Sequence, residues 1–588
     1  MLKFFKGVLA TIVGLFIFSL LFILLGVAII SAASSAEEEV EVAENSVLHL
    51  ELNKPIVERE TGFPVNPFEV LSGGEGGVIG LVEVLEAINY AREDEKIKGI
   101  YLEAQNVQAG FATLKEIRDA LEDFKSSGKW ILAYNELYTE KDYYLASVAN
   151  EVYLNPAGAL ELNGLVQEVM FLKGALNKLG VEPQVFRVGE FKSAIEPFTR
   201  TDMSEASRLQ TNAFLNNIYS VFLLDVARDR GIEADELERI SDEMLVRDPE
   251  DALELEIVDQ LGYYDEVLAA MRLKLEMEDE EEEINLVKYA KYQKSVKDEE
   301  VSSDRIAVIV ATGPIVSGEG DNESIGSDKF AKAIRDARKN ERVKAIVLRI
   351  NSPGGSALAS DVIWREVVLT KGVKPIIASM SDVAASGGYY MAMACDTIVA
   401  QPNTITGSIG IFGVIFNMQT LLNDKLGITT DVVETGELSN LYKVTAPLSE
   451  FEAAIIQNSV EDGYETFTRK AAEGRDMPLE VLLEVASGRV WSGIEAKDRG
   501  LVDVLGSFED AVQIAAVKAG LEEDDYRLRF YPEKKTIMEE LLEGLNESVE
   551  AKIMESRLGE LYPFVKEIQE LKKYSGIQAR LPYELVIE

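Results

Sequence analysis

The chain is written twice. Ile100-Tyr101-Leu102-Glu103 lines up with Ile346-Val347-Leu348-Arg349, and Tyr143-Tyr144-Leu145-Ala146 with Tyr389-Tyr390-Met391-Ala392. Val258-Asp259-Gln260-Leu261-Gly262 matches Val502-Asp503-Val504-Leu505-Gly506, and the offset stays at 244 to 247 residues. A period this long means two duplicated domains, not a solenoid of short units. In each copy a strand ends near a proline (46–50 before Pro55; 306–310 before Pro314) and a helix follows (81–91; 329–338). A buried strand (97–102; 343–350), a second helix and a third strand (130–134; 375–379) come next. Strands alternating with helices at this spacing indicate an α/β fold with largely parallel sheets. Longer helical stretches at 203–230 and 449–473 are of a length to pack partner subunits.

The copies are chemically unequal. Lys192 of Gly189-Glu190-Phe191-Lys192 falls opposite Ser439, and Ser386 of Ala385-Ser386-Gly387-Gly388 falls opposite Glu140. Where the second copy has Asn351-Ser352-Pro353-Gly354-Gly355, the first has Gln105-Asn106-Val107-Gln108-Ala109 and no glycine pair. A lysine kept in one half and a glycine-flanked serine kept in the other predict one site assembled from both.

Composition narrows the chemistry. The formal charge is −43, from 59 basic and 102 acidic residues, which argues against nucleic acid as a partner. Acidic runs such as 278–283 read as solvated loops or linkers. One cysteine, Cys395, and one histidine, His49, exclude an intrachain disulfide and a cysteine-based zinc site. Cys395 lies in an apolar stretch and His49 in an alternating strand, so both read as structural. No metal or organic cofactor is implied, and a Ser-His-Asp triad is disfavoured.

A serine hydroxyl then needs another base, and a neutral lysine can serve. At a reference pKa of about 10.4, only about one lysine in two thousand is neutral at pH 7, so burial must lower it. Lys192 follows the apolar run 184–188, where partial burial is expected. Ser386 opens an apolar helix after a strand, the placement of a nucleophile elbow. Gly354 and Gly355 follow a buried strand at a helix start, where backbone N–H groups can meet an oxyanion. Each piece also has a plainer reading: an exposed lysine, an N-cap serine, a Pro-Gly turn. Thr406-Gly407-Ser408-Ile409-Gly410 is a further glycine-rich strand end.

Residues 7–33 carry no charge and are long enough to span a bilayer. A cleavable signal peptide would have a shorter apolar region. Lys3 and Lys6 precede the stretch and acidic residues follow it, so the N-terminus is expected in the cytosol and the rest outside.

Together, Gly189-Glu190-Phe191-Lys192-Ser193-Ala194, Asn351-Ser352-Pro353-Gly354-Gly355, Ala385-Ser386-Gly387-Gly388-Tyr389-Tyr390, Thr406-Gly407-Ser408-Ile409-Gly410 and Ser487-Gly488-Arg489-Val490-Trp491-Ser492-Gly493 resemble the signal peptide peptidase A (protease IV) family in its long form. The resemblance runs from the anchor to about Tyr531. It implies two tandem Clp-protease/crotonase-like domains, Ser386 as nucleophile and Lys192 as general base. It further implies that Ser408 orients the lysine and that Gly354, Gly355 and Gly387 form the oxyanion region. Signal peptides and other apolar peptides would be substrates of a homotetramer on the outer face of a bacterial inner membrane. The expected segments are a cytosolic 1–6, an anchor 7–33, an acidic linker 34–45, a lysine-bearing domain 46–290, a linker 291–304, a serine-bearing domain 305–532 and a charged helical tail 533–588. Two rivals are an inactive membrane-tethered scaffold on the same fold and a crotonase-like acyl-CoA enzyme.

Overall fold

The computed structural model describes residues 42–60, 77–279, 282–295, 302–522, 525–532, 576–581 and 587, with scattered helical positions between 7 and 18. Most of the expected anchor and tail lies outside these residues. Among the described residues, no helix is long and apolar enough to cross a membrane.

The first half contains β1 (Ser46–Leu52), β2 (Ile97–Ala104), β3 (Trp130–Tyr138), β4 (Glu151–Leu160), β5 (Glu182–Arg187), β6 (Gln260–Leu261) and β7 (Leu286–Lys288). Six of them make a parallel sheet in the order β6-β4-β3-β2-β1-β7. The second half contains β8 (Arg305–Thr312), β9 (Val343–Ser352), β10 (Gly354–Ser356), β11 (Ile376–Ala385), β12 (Thr397–Ala400), β13 (Ile405–Gly407), β14 (Phe412–Asn417), β15 (Val490–Ser492), β16 (Val504–Leu505) and β17 (Arg527–Tyr531). Its parallel strands run β16-β12-β11-β9-β8-β17, the same order strand for strand. The duplication is therefore one of topology as well as of sequence. Helices on both faces explain why β9 is apolar almost throughout, with Ala345 to Ile350 all buried.

The helices that frame the site are α1 (Leu81–Glu93), α2 (Phe111–Ser126), α3 (Glu140–Ala146), α4 (Glu205–Arg230), α5 (Ser327–Lys339), α6 (Ala357–Thr370), α7 (Gly387–Ala392) and α8 (Glu450–Gly474). Local chemistry sets their ends. Ser449 and Glu452 form a reciprocal capping box at the start of α8, and α4 stops at Gly231 in the left-handed conformation.

The two halves are interlocked. Strand β5 leaves the first half and pairs antiparallel with β14 of the second, Arg187 opposite Phe412 and Glu182 opposite Asn417. Arg349 of β9 is buried and donates across the interface to Glu58 at 2.6 Å and Glu116 at 2.8 Å, with Ser379 and Ser381 each at 3.0 Å. Burial pushes the Glu116 carboxyl up to about 7 against the pull of Arg349. One half also caps a helix of the other. Gly110, at the start of α2, has no side chain, and the Asp382 carboxylate accepts from the Thr113 N–H at 2.9 Å and from its hydroxyl at 2.6 Å.

The tail departs from the helical expectation where it is described. Residues Gly576–Arg580 form β18, inserted between β10 and β14. Ile577, Ala579 and Leu581 alternate with Gln578 and Arg580, a period of two, and two strand edges are there to receive the backbone.

Arg349→Met leaves two carboxylates buried without their cation and should lower the unfolding free energy by about 3–5 kcal/mol in urea denaturation. Adding Glu58→Gln and Glu116→Gln should return most of it. A triple variant no more stable than Arg349→Met refutes this account of the interface.

Candidate active site

Strand β11 ends at Ala385, and the next residue, Ser386, has φ 56° and ψ −110°. A serine with positive φ outside the small left-handed well is strained and must be held by its surroundings. Its N–H donates to the Gly407 carbonyl at 2.8 Å, and its own carbonyl accepts the first α7 bond, from Tyr390 N–H at 2.8 Å. Ser386 thus occupies the N-cap position, yet its hydroxyl caps nothing. Ser204, Ser356, Ser449, Ser492 and Ser507 all accept from the third helical N–H in the usual way. The Ser386 hydroxyl points instead to Lys192.

Lys192 arrives from the first half because β5 has crossed to pair with β14. Five residues beyond β5, after Gly189 at φ +96°, the chain turns and buries the lysine completely. Its Nζ lies 2.8 Å from Ser386 Oγ, 3.0 Å from Ser408 Oγ and 3.1 Å from the Ser408 carbonyl oxygen. Burial alone holds its pKa well below the ordinary lysine value. A neutral amine fits this geometry: two N–H donors reach the two Ser408 oxygens, and the lone pair faces the Ser386 hydroxyl. The Ser408 hydroxyl in turn donates to the Gly488 carbonyl at 3.3 Å.

Two glycines let the lysine in. A Cβ on Gly488 would stand 2.7 Å from Lys192 Cβ, and one on Gly410 would stand 3.2 Å from its Cδ. Neither residue carried a chemical role in the sequence reading, although both lie in the motifs quoted above. Their signal is steric.

The three oxyanion glycines separate. Gly354, at φ +93°, lies against Gly387, whose amide nitrogen would be 2.7 Å from a Cβ on Gly354. The Gly354 N–H already donates to Ser352 Oγ at 3.2 Å. Gly355 pairs with Ile315 on the strand beside β10, where a side chain would strike the Ile315 backbone, so its lack of a Cβ serves packing.

The counterparts in the other copy are spent elsewhere. Ser439 is exposed and donates to Gly436 at 2.6 Å. Glu140 accepts from Asn163 N–H at 2.9 Å. In the loop after β2, the Asn106 and Val107 N–H groups donate to the Asp142 carboxylate at 3.2 and 2.8 Å. His49 pairs with Glu103 at 2.9 Å and stacks on Tyr101, while Cys395 is buried with its thiol pKa raised by burial. Among the described residues no group of three or more His, Cys, Asp or Glu could hold a metal ion.

The model of peptidase family S49 matches twice, at residues 123–278 and 369–522. Protease 4 of Salmonella typhi is 37% identical over 485 residues, which cover 81% of this chain and 78% of the relative. Protease 4 of Haemophilus influenzae is 36% identical over 513 residues, covering 84% and 82%. The chloroplastic serine protease SPPA of Arabidopsis thaliana is 35% identical, also over 513 residues, covering 86% and 74%. A ClpP1 chain from Listeria monocytogenes aligns with 35% of this chain and 94% of its own at 18% identity, with a TM-score of 0.24. With two matched regions on one duplicated frame, this chain belongs to peptidase family S49, the serine proteases of the protease IV and signal peptide peptidase group.

Proposed function

We propose that the chain is a Ser-Lys endopeptidase in which Ser386 is the nucleophile, Lys192 the general base and Ser408 the residue that orients the lysine. The observation that carries the reading is the 2.8 Å approach of a wholly buried lysine amine to a serine hydroxyl that caps no helix. Ser386 Oγ attacks the scissile carbonyl carbon while its proton passes to Lys192 Nζ. The resulting ammonium is held by Ser408 Oγ and the Ser408 carbonyl. Charge builds on the substrate oxygen beside the Gly387 and Gly354 backbone, where α7 begins. When the C–N bond breaks, Lys192 returns the proton to the leaving amine. Water, deprotonated by the same lysine, then hydrolyses the Ser386 ester.

The substrates on this reading are signal peptides left in a membrane and other apolar peptides. Support comes from a relative in Enterococcus faecium named a putative signal peptide peptidase, 33% identical over 220 residues, and from the uncharged stretch at 7–33, which would tether the catalytic halves to the outer face of a bacterial inner membrane. A homotetramer is part of the same reading. Exposed Leu426, Ile428, Val433 and Tyr442, between β14 and α8, offer apolar surface for a subunit contact.

Ser386→Ala and Lys192→Met should each lower kcat/KM for an apolar peptide ester by roughly 10³-fold or more while the fold is retained. Undiminished turnover by either variant removes the dyad.

Only neutral Lys192 can accept the proton, so wild-type acylation by a fluorophosphonate probe should fall as pH is lowered through its depressed pKa. Ser408→Ala takes away an acceptor of the ammonium, favouring the neutral amine further. The acid limb should move to lower pH while the plateau rate drops by roughly 10-fold or more through lost positioning. A limb that stays in place separates Ser408 from the lysine.

A further inference from the structure

The peptide cleft of this enzyme is already filled by its own chain. Strand β18 runs antiparallel to both neighbours: Gly354, Gly355 and Ser356 of β10 face Arg580, Ala579 and Gln578, and on the other edge Phe412, Gly413 and Val414 of β14 face Gln578, Ile577 and Gly576. Leu581 N–H continues the pairing to the Pro353 carbonyl at 2.7 Å. An extended backbone bonded along both edges is how a sheet receives a peptide strand.

The register places one carbonyl in particular. Any Cβ on Gly354 would strike the Ala579 carbonyl oxygen, and one on Gly387 would come within 3.0 Å of it. The Ala579 carbonyl therefore lies against the two glycine backbones that border Ser386, where a scissile carbonyl belongs. Its methyl side chain is wholly buried and leaves no exposed surface. Two residues on, buried Leu581 packs into the core of the first half, while Ile577 packs on that of the second.

We propose that β18 is a substrate-like strand that occupies the cleft between β10 and β14 and competes there with peptides supplied from outside. The proposal rests on the peptidase reading and deepens it. The cleft takes an extended peptide, with a small residue presenting its carbonyl to Ser386 and apolar residues two positions to either side. An occupant on the same chain competes intramolecularly, so its occupancy does not fall when the protein is diluted, and weakly bound peptides are held off.

The test uses the full chain. Ala579→Trp cannot be seated where a methyl is wholly buried, and Gln578→Pro removes a backbone donor in mid-strand. Each should release the strand, lowering KM for an apolar peptide ester by about fivefold or more with kcat little changed. Blocked Gly-Ile-Gln-Ala-Arg-Leu should inhibit wild type competitively and inhibit either released variant at lower concentration. The same peptide carrying a fluorophore should bind Ser386→Ala/Ala579→Trp at least about tenfold more tightly than Ser386→Ala, by anisotropy. Peptide binding without any Ser386-dependent hydrolysis keeps the strand proposal and discards the peptidase reading. Ser386-dependent hydrolysis discards the strand proposal instead if folded variants keep the wild-type KM, or if the peptide neither binds nor inhibits wild type.

Discussion

A lysine amine buried without a counter-charge is the constraint on which the site depends. Desolvation favours its neutral form, and no carboxylate opposes that effect. The neutral form must still satisfy its polar atoms, and it does so with only two residues, Ser386 and Ser408. Much of the surrounding structure follows from keeping water and other side chains away. Gly488 and Gly410 close on the aliphatic stem, Gly189 turns the chain inward, and Arg489 stacks over Phe191 and Trp491 at the flank. An acidic residue next to the amine would favour the ammonium over the neutral amine. In a chain with 102 acidic residues, excluding them from this spot is itself a structural requirement.

That requirement explains the interlocking of the halves. Lys192 and Ser386 are 194 residues apart and sit on different copies of the repeat, so their separation is only as well defined as the interface. The β5–β14 pairing sets the position of the lysine. Asp382, four residues before Ser386, is tied to α2 of the first half, and Arg349 clamps the neighbouring strand β9 to Glu58 and Glu116. Buried charge at such an interface is expensive, and a protonated Glu116 would leave one positive and one negative charge. The raised Glu116 pKa is consistent with that outcome.

Much of this was legible in the sequence because it is local. The repeated strand and helix order, the positive-φ serine elbow and the glycine turn are each written in a few adjacent residues. Ser386 and Lys192 stood out because the near-absence of histidine and cysteine left few other choices. Partners fixed by tertiary geometry were not legible. Nothing near Arg349 announces Glu58, 291 residues away, and nothing at 182–187 says that this strand will pair outside its own domain. The neighbour of Gly355 is another case: its pairing with Ile315 depends on a strand brought in from another part of the chain. The tail at 533–588, expected to be charged and helical, contains a strand at Gly576–Arg580, and 576–581 carries the alternation of one.

The first copy shows why one site is made from two halves. After β2, where the second copy keeps its glycine pair, the Asn106 and Val107 N–H groups are held by the Asp142 carboxylate from α3. An anion of the protein itself fills this turn. Asp142 also completes the capping box with Thr139, so the same carboxylate holds the turn and stabilises the helix start. Removing it would leave the buried Val107 N–H and the Thr139 N–H without their acceptor, and Glu140 would still stand opposite Ser386. The N–H groups of that turn are already paired within the first copy, whereas the Lys192 amine and the Ser386 hydroxyl meet only where the two halves join.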